Sequence, residues 1–522
     1  MFKLTSFPQF FLRNEKVILS LMLALIMGFG FFVSWFKYFF DDDEESDQRP
    51  NLVLIIADDM AWDDCGVCGH PHIRTPNIDR LAGQGMMFHQ AFLTTSSCSP
   101  TRASILTGTY PHQTDAEQLH WEVPADKITF VEQLKESGYW AAQAGKWHLG
   151  DHMKPRFDFL AEENSGVLKQ SFGELPEEDG SGSHLWVPLI EHRPKDQPFF
   201  LWLASFDPHR VYYEGTIDEP HSPEDVILPP YVPDTEEVRR DFAMYYDEIT
   251  RLDKYVGRVV EALQQQGVLE NTLILFISDN GRPFPRDKTT LYDSGIKTPW
   301  IVHWPDHVEP GSESQSLVSV VDIAPTFIKL AGLEAGDEFV GKDFSPVLSD
   351  PEVEIRPHIY GQAHWHDHEN FVRAIRDNRF KYIRNFFNDL PLTPPADALN
   401  SPTFSEIRRL KSEGTLDEMQ IAYYFRPRPE EELYDLQNDP HEINNLADDP
   451  EYRDELVRLR SALLDFMITH SDGVPRLRTP DGFHRVSGAG LPGIQFPRPP
   501  KKEIFSDCDC IYLSPEKFFE EN

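Results

Sequence analysis

Three short, unbroken apolar runs mark the first half of the chain, and each stops at a polar cluster. Residues 51–57 (NLVLIIA) give way to Asp58-Asp59, 199–205 (FFLWLAS) to Asp207-Pro208-His209-Arg210, and 273–278 (LILFIS) to Asp279-Asn280-Gly281. Runs of this length, apolar at successive positions, predict buried strands of a parallel sheet covered on both faces. Between the last two lies 239–266, where Phe242, Tyr245, Ile249, Leu252, Val256, Val259 and Leu263 recur at three- and four-residue spacing and Gly267 follows. That spacing predicts an amphipathic helix whose stripe packs on the sheet. In an open α/β sheet ligands bind beyond the carboxyl ends of the strands, so the three polar clusters are candidates for one shared site.

The rhythm changes around 345–357, where Pro and acidic residues interrupt it. Beyond come short strand-like pieces (371–375, 380–383), a Pro-rich loop near 390–402 and an acidic helix from 450 to about 467. The expected fold class is α/β: a large mixed, mostly parallel sheet sandwiched by helices over 51–350, then a smaller C-terminal α+β subdomain with an antiparallel sheet over 351–470. Residues 471–522 read as a Pro-rich tail on the surface or partly disordered.

The N-terminus follows a different logic. Residues 17–36 carry no charge, with Lys3, Arg13 and Lys16 before them and the acid run 41–45 after them. The length and the basic flank predict a cytoplasmic segment 1–16, a transmembrane signal anchor 17–40 and an acidic linker 41–50, with the remainder outside the cytosol. A cleaved signal peptide ending near Gly28-Phe29-Gly30 is the rival reading. The chain has no Asn-x-Ser/Thr sequon, which favours a bacterial periplasm or cell surface over a eukaryotic secretory lumen.

Composition narrows the function. A 522-residue chain with 40% apolar residues supports a large catalytic core, and a net charge of −37 argues against nucleic acid as a partner. Surface charge is screened beyond about 8 Å in physiological salt, so an anionic substrate remains open if it enters a locally basic pocket. Such a pocket suits a saccharide chain end better than a long polyanion, and a homodimer is compatible with the sequence. Five cysteines leave Cys65, Cys68, Cys508 and Cys510 for disulfides in an oxidising compartment once Cys98 is set aside for chemistry. Zinc at Cys65, Cys68 and His70 lacks a fourth ligand.

The sharpest chemical signal is Ser96-Ser97-Cys98-Ser99-Pro100-Thr101-Arg102-Ala103-Ser104-Ile105-Leu106-Thr107-Gly108. Ser99 and Pro100 read as an N-cap and first helical residue, placing Cys98 just before a helix N-terminus, where backbone N–H groups favour an anion. Other strings stand in a fixed order around it: Gly145-Lys146-Trp147-His148-Leu149-Gly150, Asp207-Pro208-His209 and Lys288-Thr289-Thr290-Leu291-Tyr292. Together with Asp58-Asp59 and Asp279-Asn280, this set resembles the sulfatase family. Strings at 157–168, 206–210, 278–285 and 401–404 resemble the N-sulfoglucosamine sulfohydrolase (sulfamidase) branch. Lys288 stands where that branch carries arginine, and Asp293-Ser294 replaces the Glu-Gly common among sulfatases.

The resemblance implies hydrolysis of sulfate esters or sulfamates on a sulfated saccharide, N-sulfoglucosamine of heparan-type glycans in the first instance. It implies calcium held by Asp58, Asp59, Asp279 and Asn280 together with position 98, where a formylglycine-generating enzyme converts the cysteine to formylglycine. Oxygen donors from acids and an amide suit that hard cation. Lys146 and Lys288 are expected on the sulfate oxygens, His209 as proton donor to the leaving group, His148 as base, Arg102 on the hydrated aldehyde and Arg210 on the substrate. The competing readings are an O-sulfatase on another sugar, a phosphodiesterase or phosphonate monoester hydrolase, and a non-catalytic tethered glycan-binding protein.

Overall fold

The computed structural model describes residues 49–161, 177–475, 478–492 and 512–513. The cytoplasmic segment and anchor, most of the linker, part of the 157–168 string, and Cys508 and Cys510 lie outside the described residues. Among the described residues no helix is long and apolar enough to cross a membrane.

In the first half, β1 (Asn51–Ala57), β2 (Met86–Phe88) and β3 (Ala91–Phe92) are followed by β4 (Trp140–Gly145), β5 (Phe159–Ala161), β6 (Phe199–Ala204) and β7 (Thr272–Ser278). Short strands β8 (Ile301–His303), β9 (Ser312–Ser314) and β10 (Val318–Ser319) come next. The main sheet has the order β5-β4-β6-β1-β7-β8-β2-β9. Its centre is parallel, because β1 pairs in parallel with both β6 and β7, and β6 with β4. Antiparallel β8 makes the sheet mixed.

Alternation along β1 shows why its residues are apolar throughout. Leu52, Leu54 and Ile56 join one core cluster, while Val53, Ile55 and Ala57 join another on the opposite face. Each cluster has its helix. α1 (Cys98–Thr107) contributes Ala103, Ile105 and Leu106 to the first; α2 (Glu236–Gln265) contributes its stripe, from Phe242 to Leu263, to the second. α2 starts three residues before the expected position, because Thr235 accepts the Val238 N–H and caps it.

A second, antiparallel sheet has the order β11 (Ile359–Ala363), β12 (Val372–Arg376), β13 (Phe380–Asn385), β14 (Glu431–Asp435). Between β13 and β14, helix Ala396–Leu399 lies within the region expected as a Pro-rich loop, and α3 (Pro402–Glu413) and helix Glu418–Phe425 follow it. α4 (Arg453–Thr469) packs on the sheet through Leu456, Leu459 and Leu463. Described parts of the tail fasten to the same region. Pro480 accepts the Trp365 indole N–H at 3.0 Å, and Asp481 accepts the Glu369 backbone N–H at 2.7 Å.

The two sheets are tied at Asp293. Its carboxylate takes Arg376 at 2.8 and 2.9 Å and Lys381 at 2.5 Å, and Lys381 also reaches Glu442 at 2.7 Å. The cluster is buried, so deleting its central acid strands Arg376 away from water and leaves Lys381 with Glu442 alone. Asp293→Ala is expected to destabilise the fold by about 3–5 kcal/mol, read as a lower urea midpoint; a change under about 0.5 kcal/mol, the scale of an ordinary surface substitution, contradicts that account.

Candidate active site

Parallel β4, β6, β1 and β7 all end on one edge of the main sheet, so the residues after each strand meet there. Backbone hydrogen bonds continue the register past the strand ends: Asp58 N–H donates to the Asp207 carbonyl at 2.9 Å, and Asp279 N–H to that of Ala57 at 3.1 Å. β4 must turn sharply to deliver Lys146. Gly145, with φ 86°, does so where a Cβ would lie 1.8 Å from the Ala204 carbonyl oxygen, which excludes every other residue type.

Asp58, Asp59, Asp279 and Cys98 are all buried, and one ligand atom from each lies within 4.8 Å of all the others. Asn280 completes the group, its Nδ2 at 2.8 Å from Asp279, 3.0 Å from Asp59 and 3.1 Å from Cys98 Sγ. Cys98 is the first residue of α1 rather than the residue before it. Ser97, still extended, is the N-cap, and its carbonyl accepts the Thr101 N–H at 2.9 Å. Pro100 is tolerated two positions later than expected, as the third helical residue, because first-turn N–H groups have no helical acceptor.

Cations surround the acids. Lys146 pairs with Asp58, and Lys288 pairs with Asp59 at 2.7 Å. Arg102 is fully buried; its Nε donates to Asp279 at 2.8 Å and an Nη to the Lys146 carbonyl at 3.0 Å. This engagement points the guanidinium at Asp279, so Arg102 braces a carboxylate of the cluster. His209 Nδ1 lies 2.5 Å from the Arg210 carbonyl, which leaves Nε2 facing inward, 3.8 Å from Asp59 and 3.7 Å from Asp397. His148 Nε2 meets His120 Nδ1 at 2.8 Å, and its own Nδ1 is buried without a hydrogen-bond partner.

Arg210 is committed to other groups of the protein. Asp241 takes both of its terminal nitrogens at 2.8 Å, and the guanidinium lies over the rings of Tyr212 and Phe284. A buried, bidentate pair of this kind leaves Arg210 supporting the loop rather than meeting a ligand. Cys65 and Cys68 are disulfide-bonded and His70 bonds Tyr246 Oη at 3.1 Å, so these side chains are engaged elsewhere than on zinc.

Burial sets the protonation of the cluster. It works against the Asp58 carboxylate, yet Lys146, with His209, Arg102 and Lys288, holds that group well below the usual range. Asp59, buried and next to Asp58, is pushed up to about 7 despite Lys288; burial and Asp58 raise Asp279 to about 6 despite Arg102. The Cys98 thiol is pushed up to about 12 by burial. Burial and Lys146 keep His148 well below its ordinary value, and burial and Lys288 lower His209. Three buried carboxylates that resist joint ionisation, with Asp58 Oδ1 and Asn280 Oδ1 lacking hydrogen-bond partners, fit a hard divalent cation.

Several neighbours of the site were not singled out by sequence. Asp397 came from a segment expected as a loop, and no motif pointed to it. His366, whose Nδ1 lies 2.7 Å from Ser97 Oγ, belongs to the run His364-Trp365-His366-Asp367-His368, a visible signal in composition. Backbone strain adds a feature that no pattern shows. Asp59, His120, His148 and Thr289 all sit at φ between 57° and 74°, a left-handed conformation non-glycine residues adopt at a cost where a site demands it.

Comparison with known proteins agrees with this geometry. Residues 50–333 match the family model described as Sulfatase, and 284–403 match that described as N-sulphoglucosamine sulphohydrolase, C-terminal. The chain is 32% identical to human N-sulphoglucosamine sulphohydrolase over 83% of this chain and 93% of that protein. It is 31% identical to an ulvan-active sulfatase of Formosa agariphila over 80% and 74% respectively. Among solved structures, BT4656 in complex with D-glucosamine-2-N,6-O-disulfate superposes with a TM-score of 0.63 at 21% identity, covering 81% of this chain and 98% of that one. The phosphonate monoester hydrolase of Agrobacterium radiobacter gives 0.62 at 21% identity, over 81% and 96%. Strand ends, acid cluster and matches converge: the chain belongs to the sulfatase family of hydrolases and stands near the N-sulphoglucosamine sulphohydrolases within it.

Proposed function

We propose that the chain hydrolyses the sulfamate of N-sulfoglucosamine at the end of a heparan-type saccharide. In this reading calcium is held by Asp58, Asp59, Asp279 and Asn280, and a maturation enzyme converts Cys98 to formylglycine. The meeting of three acids and Cys98 within 4.8 Å carries it. A thiol raised to about 12 is neutral at pH 7 and its soft sulfur suits a hard cation poorly, so the encoded side chain matches neither nucleophile nor ligand. Similarity to the human sulphohydrolase supports the sulfamate in particular.

Bound calcium would supply Lewis-acid polarisation of the sulfo oxygens. Hydrated formylglycine would supply two oxygens, one to attack sulfur and one to expel sulfate afterwards. The chain's own residues do the rest. Lys146 and Lys288 each hold one carboxylate and keep N–H donors for the sulfo oxygens. His209 acts as the imidazolium, which Asp58 and Asp397 favour against burial and Lys288: its Nδ1–H donates to the Arg210 carbonyl, and the second proton, at Nε2, goes to the leaving nitrogen. Neutral His148 accepts a proton, and Arg102 fixes Asp279. The 17–40 anchor would place this activity outside the cytosol, in a periplasm or at a cell surface.

An O-sulfatase is the second reading, favoured by the 31% identity to the ulvan-active enzyme. Sulfate release decides between them: kcat/KM on N-sulfoglucosamine should exceed that on O-sulfated glucosamines by at least tenfold, about the discrimination one differential contact provides. The reverse order supports the O-sulfatase. Cys98→Ser has one oxygen where two are needed, so incubation with substrate should leave a sulfo group esterified to residue 98 in the intact mass; sustained multiple turnover contradicts the scheme. Chelation should abolish activity and lower the melting temperature, with a loss of about 2.7 kcal/mol if calcium had been present at a hundred times its Kd. An unchanged melting curve on chelation counts against the metal site.

A further inference from the structure

Two strings that drew attention in the sequence, 206–210 and 401–404, meet at one carboxylate. Asp241 accepts both terminal nitrogens of Arg210 at 2.8 Å, and also the Thr403 hydroxyl at 2.7 Å and its backbone N–H at 3.3 Å. On one side this bridge sets the Arg210 carbonyl that orients His209. On the other it fixes the start of α3, and Asp367 takes the Ala396 N–H at 2.8 Å to anchor the short helix Ala396–Leu399. The helix thereby carries Asp397 to 3.5 Å from Lys288 Nζ and 3.7 Å from His209 Nε2.

Asp397 differs from the other acids of the site. The side chains of Asp58, Asp59 and Asp279 are 0% exposed, whereas that of Asp397 keeps 25% open, beside His209 at 30%. It lies on the open side of the pocket, where the sugar would stand. A carboxylate there opposes the approach of an anionic sulfo group, so its presence calls for a compensating interaction later in the reaction.

We propose that Asp397 is a specificity-determining residue that selects an amine leaving group over an alkoxide, by accepting an N–H hydrogen bond from the nitrogen as the S–N bond breaks. The inference rests on the sulfamate reading above. In that step the S–N bonding pair stays with nitrogen, nitrogen takes the proton from His209 Nε2, and the sulfo group passes to the attacking oxygen. The departing amine presents N–H donors and tends toward positive charge, both of which a carboxylate stabilises. The oxygen of an O-sulfate gathers negative charge instead, which the same carboxylate opposes.

The test compares the calcium-loaded, formylglycine-bearing enzyme with its Asp397→Asn and Asp397→Glu variants on N-sulfoglucosamine and on 4-nitrophenyl sulfate. The quantity read is the ratio of kcat/KM for the N-sulfated over the O-sulfated substrate, which is independent of the fraction of folded, active enzyme. Asp397→Asn is expected to lower that ratio about 100-fold, the usual effect of losing one transition-state hydrogen bond, and Asp397→Glu to restore most of it. A ratio that stays within about threefold of the parent's in Asp397→Asn, below the change a single differential contact gives, overturns the inference. A parent enzyme that cleaves 4-nitrophenyl sulfate but not N-sulfoglucosamine overturns the sulfamate reading itself, before any variant is considered.

Discussion

Opposite charges held out of water at one edge of a parallel sheet are the constraint on which this structure depends. Asp58, Asp59 and Asp279 are buried side by side, and no solvent shell relieves their repulsion. Lys146, Lys288 and Arg102 offset it, each by direct contact with one acid or its neighbour. A partly compensated cluster of this kind is costly to the fold and becomes favourable when a divalent cation and an anionic group enter together. The same arrangement keeps the negative charge of the whole molecule from deciding what the pocket accepts, because screening confines distant surface acids to short range.

The sheet makes the cluster attainable. Parallel strands β4, β6, β1 and β7 each need a return connection, so their carboxyl ends all open on one edge and four separate stretches of sequence converge. α1 brings the fifth, presenting Cys98 from its first turn, at the helix end whose dipole favours an anion. Helices covering both faces hold the strands rigid, which suits a site whose groups must keep their positions to within about 0.5 Å. The antiparallel sheet adds a wall on the open side: the loop with His366 and the short helix with Asp397 both project from it.

Much of this was legible in the residues. β1, β6 and β7 were evident because strands buried on both faces must be apolar throughout, and the polar residue after each marks the ligand edge. β4 was not, since Trp140–Gly145 (WAAQAG) is rich in alanine and lacks branched residues; its strand comes from pairing with β6 and β5. Cys98 lay two positions further into the helix than expected, because Ser97 and not Ser99 is the N-cap. Arg210 illustrates a different limit: an arginine next to a candidate catalytic histidine reads as a ligand contact until its partner, Asp241, is brought up by a helix some thirty residues on. Asp397 had no local signature at all, since its role follows only from where Asp241 and Asp367 fasten its segment.

The central claim is that the working form of residue 98 is the oxidised aldehyde rather than the thiol encoded by the sequence. Mass analysis of the peptide containing residue 98, taken from preparations of graded activity, tests it directly. Sulfate release should rise in proportion to the fraction of chains carrying formylglycine and vanish in material that carries only cysteine. Full activity from protein in which residue 98 is entirely an unmodified thiol would contradict the account.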